Sequence, residues 1–213
     1  MPIANCQQQP TTIKQSRIKE VFDKKEVTGI ILAGGASSRM GKDKGLCEFK
    51  GSALVNYAIE ALLPLCQTII ISSNNIESYQ KFGYQVVSDR IKDIGPIGGI
   101  YSCMKESTTK HNLVISCDTP FLNTQLMEHV LLNSENYDIV VPEHGESYIE
   151  PLAAYYSSAI IDILEDSINK KDYKLMNLFK KVKFKSINVD SFEGYSKMLF
   201  KNLNTPNDLL SCL

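Results

Sequence analysis

The sequence predicts an α/β fold in which helices cover both faces of a mostly parallel sheet. Short runs rich in β-branched residues alternate along the chain with segments of helical periodicity, as in consecutive βαβ units. Strands of this kind, buried on both faces, are typical of parallel sheets. With 213 residues, 43% of them hydrophobic, the chain is long enough to bury one sizeable core.

The predicted elements follow one another without an internal repeat or an interdomain linker. Strands are predicted, in chain order, over residues 29–32, 68–72, 85–87, 113–116 and 138–141. Helices are predicted over residues 54–63, 76–82, 124–132 and 158–168. Over residues 180–185, Lys alternates with Val and Phe, which favours a half-exposed strand over a nucleic-acid patch.

The N-terminal residues differ in composition from the rest of the chain. Residues 1–26 are rich in Gln, Lys and Thr and carry only a thin apolar stripe, so we expect a flexible extension. We expect residues 27–213 to form a single domain.

Charge and cysteine content exclude several functional classes. The 23 basic and 24 acidic residues give a formal net charge of -1, so no global field attracts nucleic acid or an anionic membrane. The longest apolar stretches are far shorter than the roughly 20 residues of a membrane helix. The six cysteines form no CxxC pair, and no targeting segment opens the chain, so we expect a cytoplasmic protein.

The segment after the first strand predicts a phosphate-binding site. The strand runs into Gly34 and Gly35, and Arg39, Lys42 and Lys44 follow. Glycines let backbone N–H groups approach a phosphate, and the three cations supply charge against it. An ordinary surface loop is the alternative, but it does not explain why glycines and cations coincide directly after a buried strand.

Two common nucleotide-binding loops are excluded by this segment. The Walker pattern requires Ser or Thr after Gly41-Lys42, where this chain has Asp43, and a glycine where it has Ala36. The dinucleotide fingerprint requires a residue between its first two glycines, but Gly34 and Gly35 are adjacent.

Four motifs together resemble one family. They are the run from Leu32 to Gly45, Gly95-Pro96-Ile97-Gly98-Gly99, Cys117-Asp118-Thr119-Pro120-Phe121 and Asn202-Leu203-Asn204-Thr205-Pro206. In order and spacing they resemble the molybdenum cofactor guanylyltransferases, the MobA family of nucleotidyltransferases, over residues 28–208. The resemblance implies a three-layer α/β/α architecture with a Rossmann-like sheet.

The resemblance also implies a reaction. In this family the terminal phosphate of molybdopterin, as Mo-molybdopterin, attacks the α-phosphorus of GTP, giving molybdopterin guanine dinucleotide and pyrophosphate. That nucleophile is already ionised at neutral pH, which agrees with the absence of the three histidines from the four motifs. Transient contacts with pterin-delivering proteins and with molybdoenzymes are implied as well.

Asp118 and Asp89 each follow a predicted strand and are expected to contact the substrate. The resemblance assigns Asp118 to a Mg²⁺ ion shared with the nucleotide phosphates, although Asp-Thr-Pro is also a good helix start. It assigns Asp89 to the nucleotide, although Asp89 and Arg90 are equally consistent with a surface ion pair.

The remaining site residues rest on the same resemblance. Arg39, Lys44 and Asp118 are expected to be catalytic, by charge neutralisation and alignment. The expected substrate contacts are Leu32, Ala33, Gly34, Gly35, Lys44, Ser72, Asp89, Gly95, Gly99, Asp118, Asn202 and Asn204. Gly95 and Gly99 are interpreted as part of a tight turn, and residues 142–148 as a turn at the rim of the pterin pocket. Asn202 and Asn204 are assigned to molybdopterin, while capping of a helix over residues 206–210 is the alternative for Thr205 and Pro206.

The sequence departs from the family at one position and leaves rival functions open. Ser72 stands where an Asn is expected to touch the nucleotide, with Asn74 and Asn75 just beyond, so base recognition falls largely to the backbone of Leu32 and Ala33. Molybdopterin cytidylyltransferases typically have Leu-Ala-Ala-Gly where this chain has Leu-Ala-Gly-Gly. Sugar-phosphate nucleotidylyltransferases continue from the arginine into Leu and Pro. A non-catalytic GTP-binding homologue is the last alternative.

Overall fold

A computed structural model of the chain describes residues 22–34 and 43–212. Its strands are β1 (Val27–Leu32), β2 (Glu48–Phe49), β3 (Ser52–Ala53), β4 (Thr68–Ser72), β5 (Gln85–Val87), β6 (His111–Ser116), β7 (Ile139–His144), β8 (Tyr148–Ile149), β9 (Ala153–Ser157) and β10 (Phe184–Asn188). Its α-helices are α1 (Leu54–Leu62), α2 (Ile76–Gln80), α3 (Pro96–Glu106), α4 (Thr124–Leu132), α5 (Ile161–Asn169), α6 (Leu175–Phe179) and α7 (Pro206–Ser211). Short 3₁₀ helices cover Lys24–Glu26, Lys44–Leu46 and Ser158–Ile160.

The main sheet is mostly parallel, as predicted. Its strand order is β10-β7-β9-β6-β1-β4-β5, with β8 paired to β7. Strand β1 pairs in parallel with β6 on one side and with β4 on the other, and Leu32 lies opposite both Ser72 and Ser116. Strand β9 runs antiparallel to its neighbours β6 and β7. The carboxyl ends of β1, β4 and β6 therefore meet at one edge of the sheet.

Helices cover both faces of the sheet, which confirms the three-layer architecture. Every residue of β1 is buried, and its side chains alternate between two cores. Val27 and Ile31 pack with apolar residues of α1, α2 and α4 on one face. Ile30 and Leu32 pack with those of α3, α5 and α6 on the other. An apolar strand without polar alternation was the signal for this double burial.

The structure corrects the prediction around Gly95. The predicted tight turn is the start of helix α3: Gly95, at φ 76°, is the N-cap residue, Pro96 is the first helical residue, and Gly99 lies inside the helix. Interior glycines weaken isolated helices, by about 1 kcal/mol each, which is why the segment has the sequence pattern of a turn. Tertiary packing overrides that preference, because glycine lets α3 lie close against β4.

Two other strands differ from the sequence prediction. The half-exposed strand predicted over residues 180–185 begins only at Phe184 and extends to Asn188. Strand β9 was not predicted, since its sequence Ala-Ala-Tyr-Tyr-Ser has no run of β-branched residues, yet every residue in it is buried between β6 and β7. The predicted turn over residues 142–148 is narrower, because β7 continues to His144 and β8 begins at Tyr148.

The described part of the predicted extension packs against the domain. Phe22 is buried in the core of the α1 face, and its ring meets His111 edge to face at 5.0 Å between centroids. Residues 1–21, the greater part of the predicted extension, lie outside the described residues. Within residues 22–34 and 43–212, no helix is both long and apolar enough to cross a bilayer.

Candidate active site

A cleft of about 740 Å³ opens at the carboxyl edge of the sheet, between the ends of β1, β4 and β5 and the start of α3. This volume is in the range of sites that hold small molecules and cofactors. The lining includes seven of the predicted substrate contacts: Leu32, Ala33, Gly34, Ser72, Asp89, Gly95 and Gly99. The lining residues that the sequence analysis did not assign are Asp43, Ser73, Asn74, Asn75, Asp93, Pro96, Ser116 and Leu152. The signal that would have identified Asn74 and Asn75 is their position just after a strand, β4.

A hydrogen-bonded group of three predicted residues lies beside this cleft. The Lys44 ammonium donates to Asp118 Oδ2 at 2.9 Å and to Asn204 Oδ1 at 2.5 Å. Lys44 is separated from Asp118 by 74 positions and from Asn204 by 160, so only the fold brings the three motifs together. Both partners present oxygen acceptors, so the ammonium is fixed between them.

Asp118 is held in place from several directions. Its Oδ1 accepts a 2.6 Å hydrogen bond from the Ser116 hydroxyl, and Ser116 itself lines the cleft. Its backbone carbonyl accepts from the Leu203 N–H at 2.8 Å, which ties the strand end to the segment before Asn204. Its side chain is 16% exposed, so the carboxylate is accessible yet restrained. Neighbouring Cys117 is buried, and burial raises the pKa of its thiol, so it is not an activated nucleophile.

At Asn204 and Thr205, helix capping and a contact to Lys44 coexist. The Thr205 hydroxyl accepts from the Asp208 N–H, and the Asp208 carboxylate accepts from the Thr205 N–H, which completes a capping box at the start of α7. Capping leaves the Asn204 side chain available to meet Lys44. Asn202, the other predicted pterin contact, is an exposed residue two positions earlier.

In the wall of the cleft, Asp89 is held by Ser72, the last residue of β4, and by Asn74. The Ser72 hydroxyl donates to Asp89 Oδ1 at 3.3 Å. Asn74 accepts from the Asp89 N–H at 3.1 Å through its side-chain oxygen. Ser72 is 2% exposed, whereas Asn74 is exposed, and both residues line the cleft. The Asn74 amide nitrogen also donates to Asp89 Oδ2 at 3.5 Å.

The backbone of Leu32 and Ala33 is partly committed to the sheet. The Ala33 N–H donates to the Ser72 carbonyl at 2.9 Å, and the Leu32 carbonyl accepts from the Cys117 N–H at 3.1 Å. These bonds fix the corner where β1 ends.

Among the described residues that line the cleft, the charged ones are acids. Asp43, Asp89 and Asp93 contribute carboxylates to its wall, while no Lys or Arg is in the described lining. Lys44 stands beside the cleft. The other predicted phosphate ligands, Gly35 and Arg39, lie outside the described residues, as does Lys42.

A glycine is required where α3 crosses β4. A Cβ added to Gly99 would lie 2.6 Å from the Ser72 hydroxyl oxygen and 3.1 Å from Leu32 Cδ2. At Gly34 the nearest atom of the described residues to an added Cβ is the Ser72 carbonyl oxygen at 3.8 Å, an ordinary contact. The close approach at Gly99 brings the start of α3 against the cleft.

We expect Gly99→Ala to destabilise the protein, because the new Cβ displaces the Ser72 hydroxyl from Asp89. Overpacking of this kind costs about 1–3 kcal/mol, and the better helix propensity of Ala returns up to about 1 kcal/mol. The free energy of unfolding in urea should therefore fall by about 1 kcal/mol. Gly34→Ala is the control and should unfold at the wild-type urea concentration; equal stability of both variants would contradict the packing argument.

Asp118 offers a carboxylate to a metal ion near Lys44. Within the described ranges, no three His, Cys, Asp or Glu side chains form a metal-binding group. Mg²⁺ is commonly held by one or two carboxylates together with substrate phosphates, and the Asp118 oxygens are hard donors of that type. The residues present therefore fit a magnesium ion that arrives with a nucleotide.

Comparison with known proteins agrees with this geometry. Residues 29–186 match the family model described as the MobA-like NTP transferase domain. A probable molybdenum cofactor guanylyltransferase of Pelotomaculum thermopropionicum is 33% identical over 187 residues, which cover 87% of this chain and 91% of the relative. A molybdenum cofactor guanylyltransferase of Vibrio parahaemolyticus is 35% identical over 188 residues, 86% of this chain and 93% of the relative.

A solved structure supports the fold assignment. The crystal structure of molybdopterin-guanine dinucleotide biosynthesis protein A from Archaeoglobus fulgidus superposes with a TM-score of 0.72 at 24% identity, covering 86% of this chain and 95% of that one. The family match and the two relatives cover most of the chain. The chain thus belongs to the MobA-like NTP transferase family of nucleotidyltransferases, as do the molybdenum cofactor guanylyltransferases that it resembles.

Proposed function

We propose that this protein transfers the GMP moiety of GTP to molybdopterin, in its Mo-molybdopterin form, and releases pyrophosphate. The observation that carries the proposal is the Lys44–Asp118–Asn204 group beside a nucleotide-sized cleft at the carboxyl edge of the sheet. Open α/β sheets bind their ligands at this edge. The names of the relatives support the choice of guanylyl transfer.

The proposed reaction needs no general base. A phosphate monoester oxygen of molybdopterin forms a bond to the α-phosphorus of GTP, the bond from that phosphorus to the bridging oxygen breaks, and pyrophosphate leaves with the electron pair. Since the nucleophile is already ionised, the protein has to align the two phosphates and neutralise charge. Among the described residues, Lys44 is a cation placed to neutralise charge on the phosphates.

The position of Lys44 supports a division of the cleft between phosphates and base. Its ammonium attracts a triphosphate, so the phosphates would lie toward Lys44, and the part of the cleft at Asp89 and Asn74 would receive the nucleoside. Guanine presents N–H donors, which carboxylate and amide oxygens accept. Asp118 would hold Mg²⁺, which when bound supplies charge neutralisation on the phosphates.

The decisive experiment is a product assay. Purified protein, Mg²⁺ and a molybdopterin-loaded carrier protein are incubated with GTP or with CTP, and the dinucleotide is identified by mass. We expect a guanine dinucleotide and stoichiometric pyrophosphate, with no pyrophosphate when the pterin is omitted. A cytosine dinucleotide alone would identify a cytidylyltransferase, and tight GTP binding without product would identify a non-catalytic homologue.

A further inference from the structure

Tyr79 is a buried tyrosine whose hydroxyl reaches the turn of residues 43–47, which carries Lys44. It lies on α2 with 0% exposure, in the core of the α1 face. Its hydroxyl donates a 2.5 Å hydrogen bond to Asp43 Oδ1, across 36 positions of sequence. Asp43 directly precedes Lys44 and lines the cleft.

The Asp43 side chain does not cap its own helix, although its position predicts that it would. Asp43 is the N-cap residue of the 3₁₀ helix Lys44–Leu46, where an aspartate normally accepts from the backbone of its own helix. It makes no such hydrogen bond, and one of its carboxylate oxygens meets Tyr79 instead. A local stabilising interaction is thus replaced by a long-range one.

The same hydroxyl also fills the space beside Gly45. The Tyr79 hydroxyl stands where a Cβ on Gly45 would be, and the Cys117 sulfur would lie 3.2 Å from that Cβ. The backbone on both sides of Lys44 is therefore fixed by Tyr79, at Asp43 through a hydrogen bond and at Gly45 through packing. Burial, together with Cys117 and Asp43, raises the pKa of Tyr79, so its hydroxyl keeps the proton that it donates.

We propose that Tyr79 is a positioning residue of the active site, whose hydroxyl sets the location of the Lys44 ammonium through Asp43 and Gly45. Lys44 must reach Asp118 and Asn204 at the same time, and a turn free to shift would not hold both contacts. Displacements of about 1 Å in such groups lower rates by up to about 10²-fold. The effect on rate rests on the proposed function, whereas the effect on the turn does not.

The test compares Tyr79→Phe with Tyr155→Phe. Tyr155 is a matched control, because it is 2% exposed and its hydroxyl also makes a buried hydrogen bond, to His111 at the opposite edge of the sheet. Tyr79→Phe should lower kcat about 10- to 10²-fold and leave the KM for GTP within about twofold. Tyr155→Phe should leave both constants unchanged. Unchanged kcat in Tyr79→Phe would overturn the proposal.

Hydrogen exchange provides a readout that is independent of turnover. The N–H groups of Leu46 and Cys47 donate to the carbonyls of Asp43 and Lys44, so they report the integrity of the turn. Their exchange should accelerate at least about 10-fold in Tyr79→Phe and not in Tyr155→Phe. Equal protection in wild type and Tyr79→Phe would refute the positioning role even if the wild type proved inactive as a guanylyltransferase.

A second pair of variants tests the route through Asp43. Asp43→Ala removes the acceptor and should reproduce the kcat loss, and Tyr79→Phe added to it should lower kcat no further than about twofold. Asp43→Asn keeps an acceptor oxygen and should retain most of the rate. Additive losses in the double variant would show that Tyr79 does not act through Asp43.

Discussion

Replacing Asp118 with asparagine is expected to abolish most guanylyl transfer while the protein stays folded. The amide keeps the shape of the side chain and an oxygen for the Ser116 hydroxyl, but it removes the negative charge that faces Lys44. It also removes the carboxylate proposed to hold Mg²⁺. Losing one preorganised electrostatic group typically lowers a rate by about 10²–10³-fold, and we expect Asp118→Asn at the upper end.

The fold should tolerate Asp118→Asn. The carboxylate is 16% exposed beside the cleft and is not in the core, and the backbone carbonyl of residue 118 still accepts from Leu203. The measurement is the initial rate of guanine dinucleotide formation at saturating GTP and Mg²⁺, with the melting temperature recorded alongside.

Asp166→Asn is the matched control for this change. It breaks the ion pair with Lys170, in which the Lys170 side chain is 68% exposed and the Asp166 side chain is 52% exposed. Such exposed pairs contribute little to stability. Its rate should equal that of the wild type. Wild-type turnover in Asp118→Asn would remove Asp118 from the mechanism.

Replacing Lys44 with alanine is the second change expected to have a large effect. The Lys44 ammonium lies beside the cleft and donates hydrogen bonds to Asp118 and Asn204. Its loss therefore removes the positive charge proposed to neutralise the phosphates, and it also removes the contact between three motifs. We expect kcat to fall by about 10²–10³-fold and GTP binding to weaken. Steady-state kinetics and a GTP titration of the same preparation measure the two effects separately.

The nature of the Lys44 contacts sharpens this test. A compact ammonium lies between two oxygens at 2.9 and 2.5 Å, a geometry that a planar guanidinium does not reproduce. Lys44→Arg should therefore restore only a small part of the rate. Lys170→Ala removes an exposed lysine of an i,i+4 pair and should leave the kinetics unchanged. Full recovery in Lys44→Arg would mean that charge alone is required.

The sequence and the structure agree best where a local pattern is sufficient. The strands over Thr68–Ser72 and Gln85–Val87 and the helix over Thr124–Leu132 have the bounds that the sequence predicts. Each of these strands contains its own run of β-branched residues, and the helix contains its own helical periodicity of apolar residues. Helix α3 and strand β9 do not, since glycines and alanines acquire their secondary structure from the neighbours they pack against.

The sequence by itself determined the fold class, because chain-local patterns of hydrophobicity encode it. The glycines and cations after β1 predict a phosphate-binding loop, and the family resemblance of the motifs singled out Lys44, Asp118 and Asn204. The tertiary structure alone decided which of these residues touch, that Asn74 accepts from the Asp89 N–H, and that Tyr79 donates to Asp43. The physical reason is that a hydrogen bond between residues 36 or 160 positions apart depends on strand order and helix packing, which are set by burial over the whole domain.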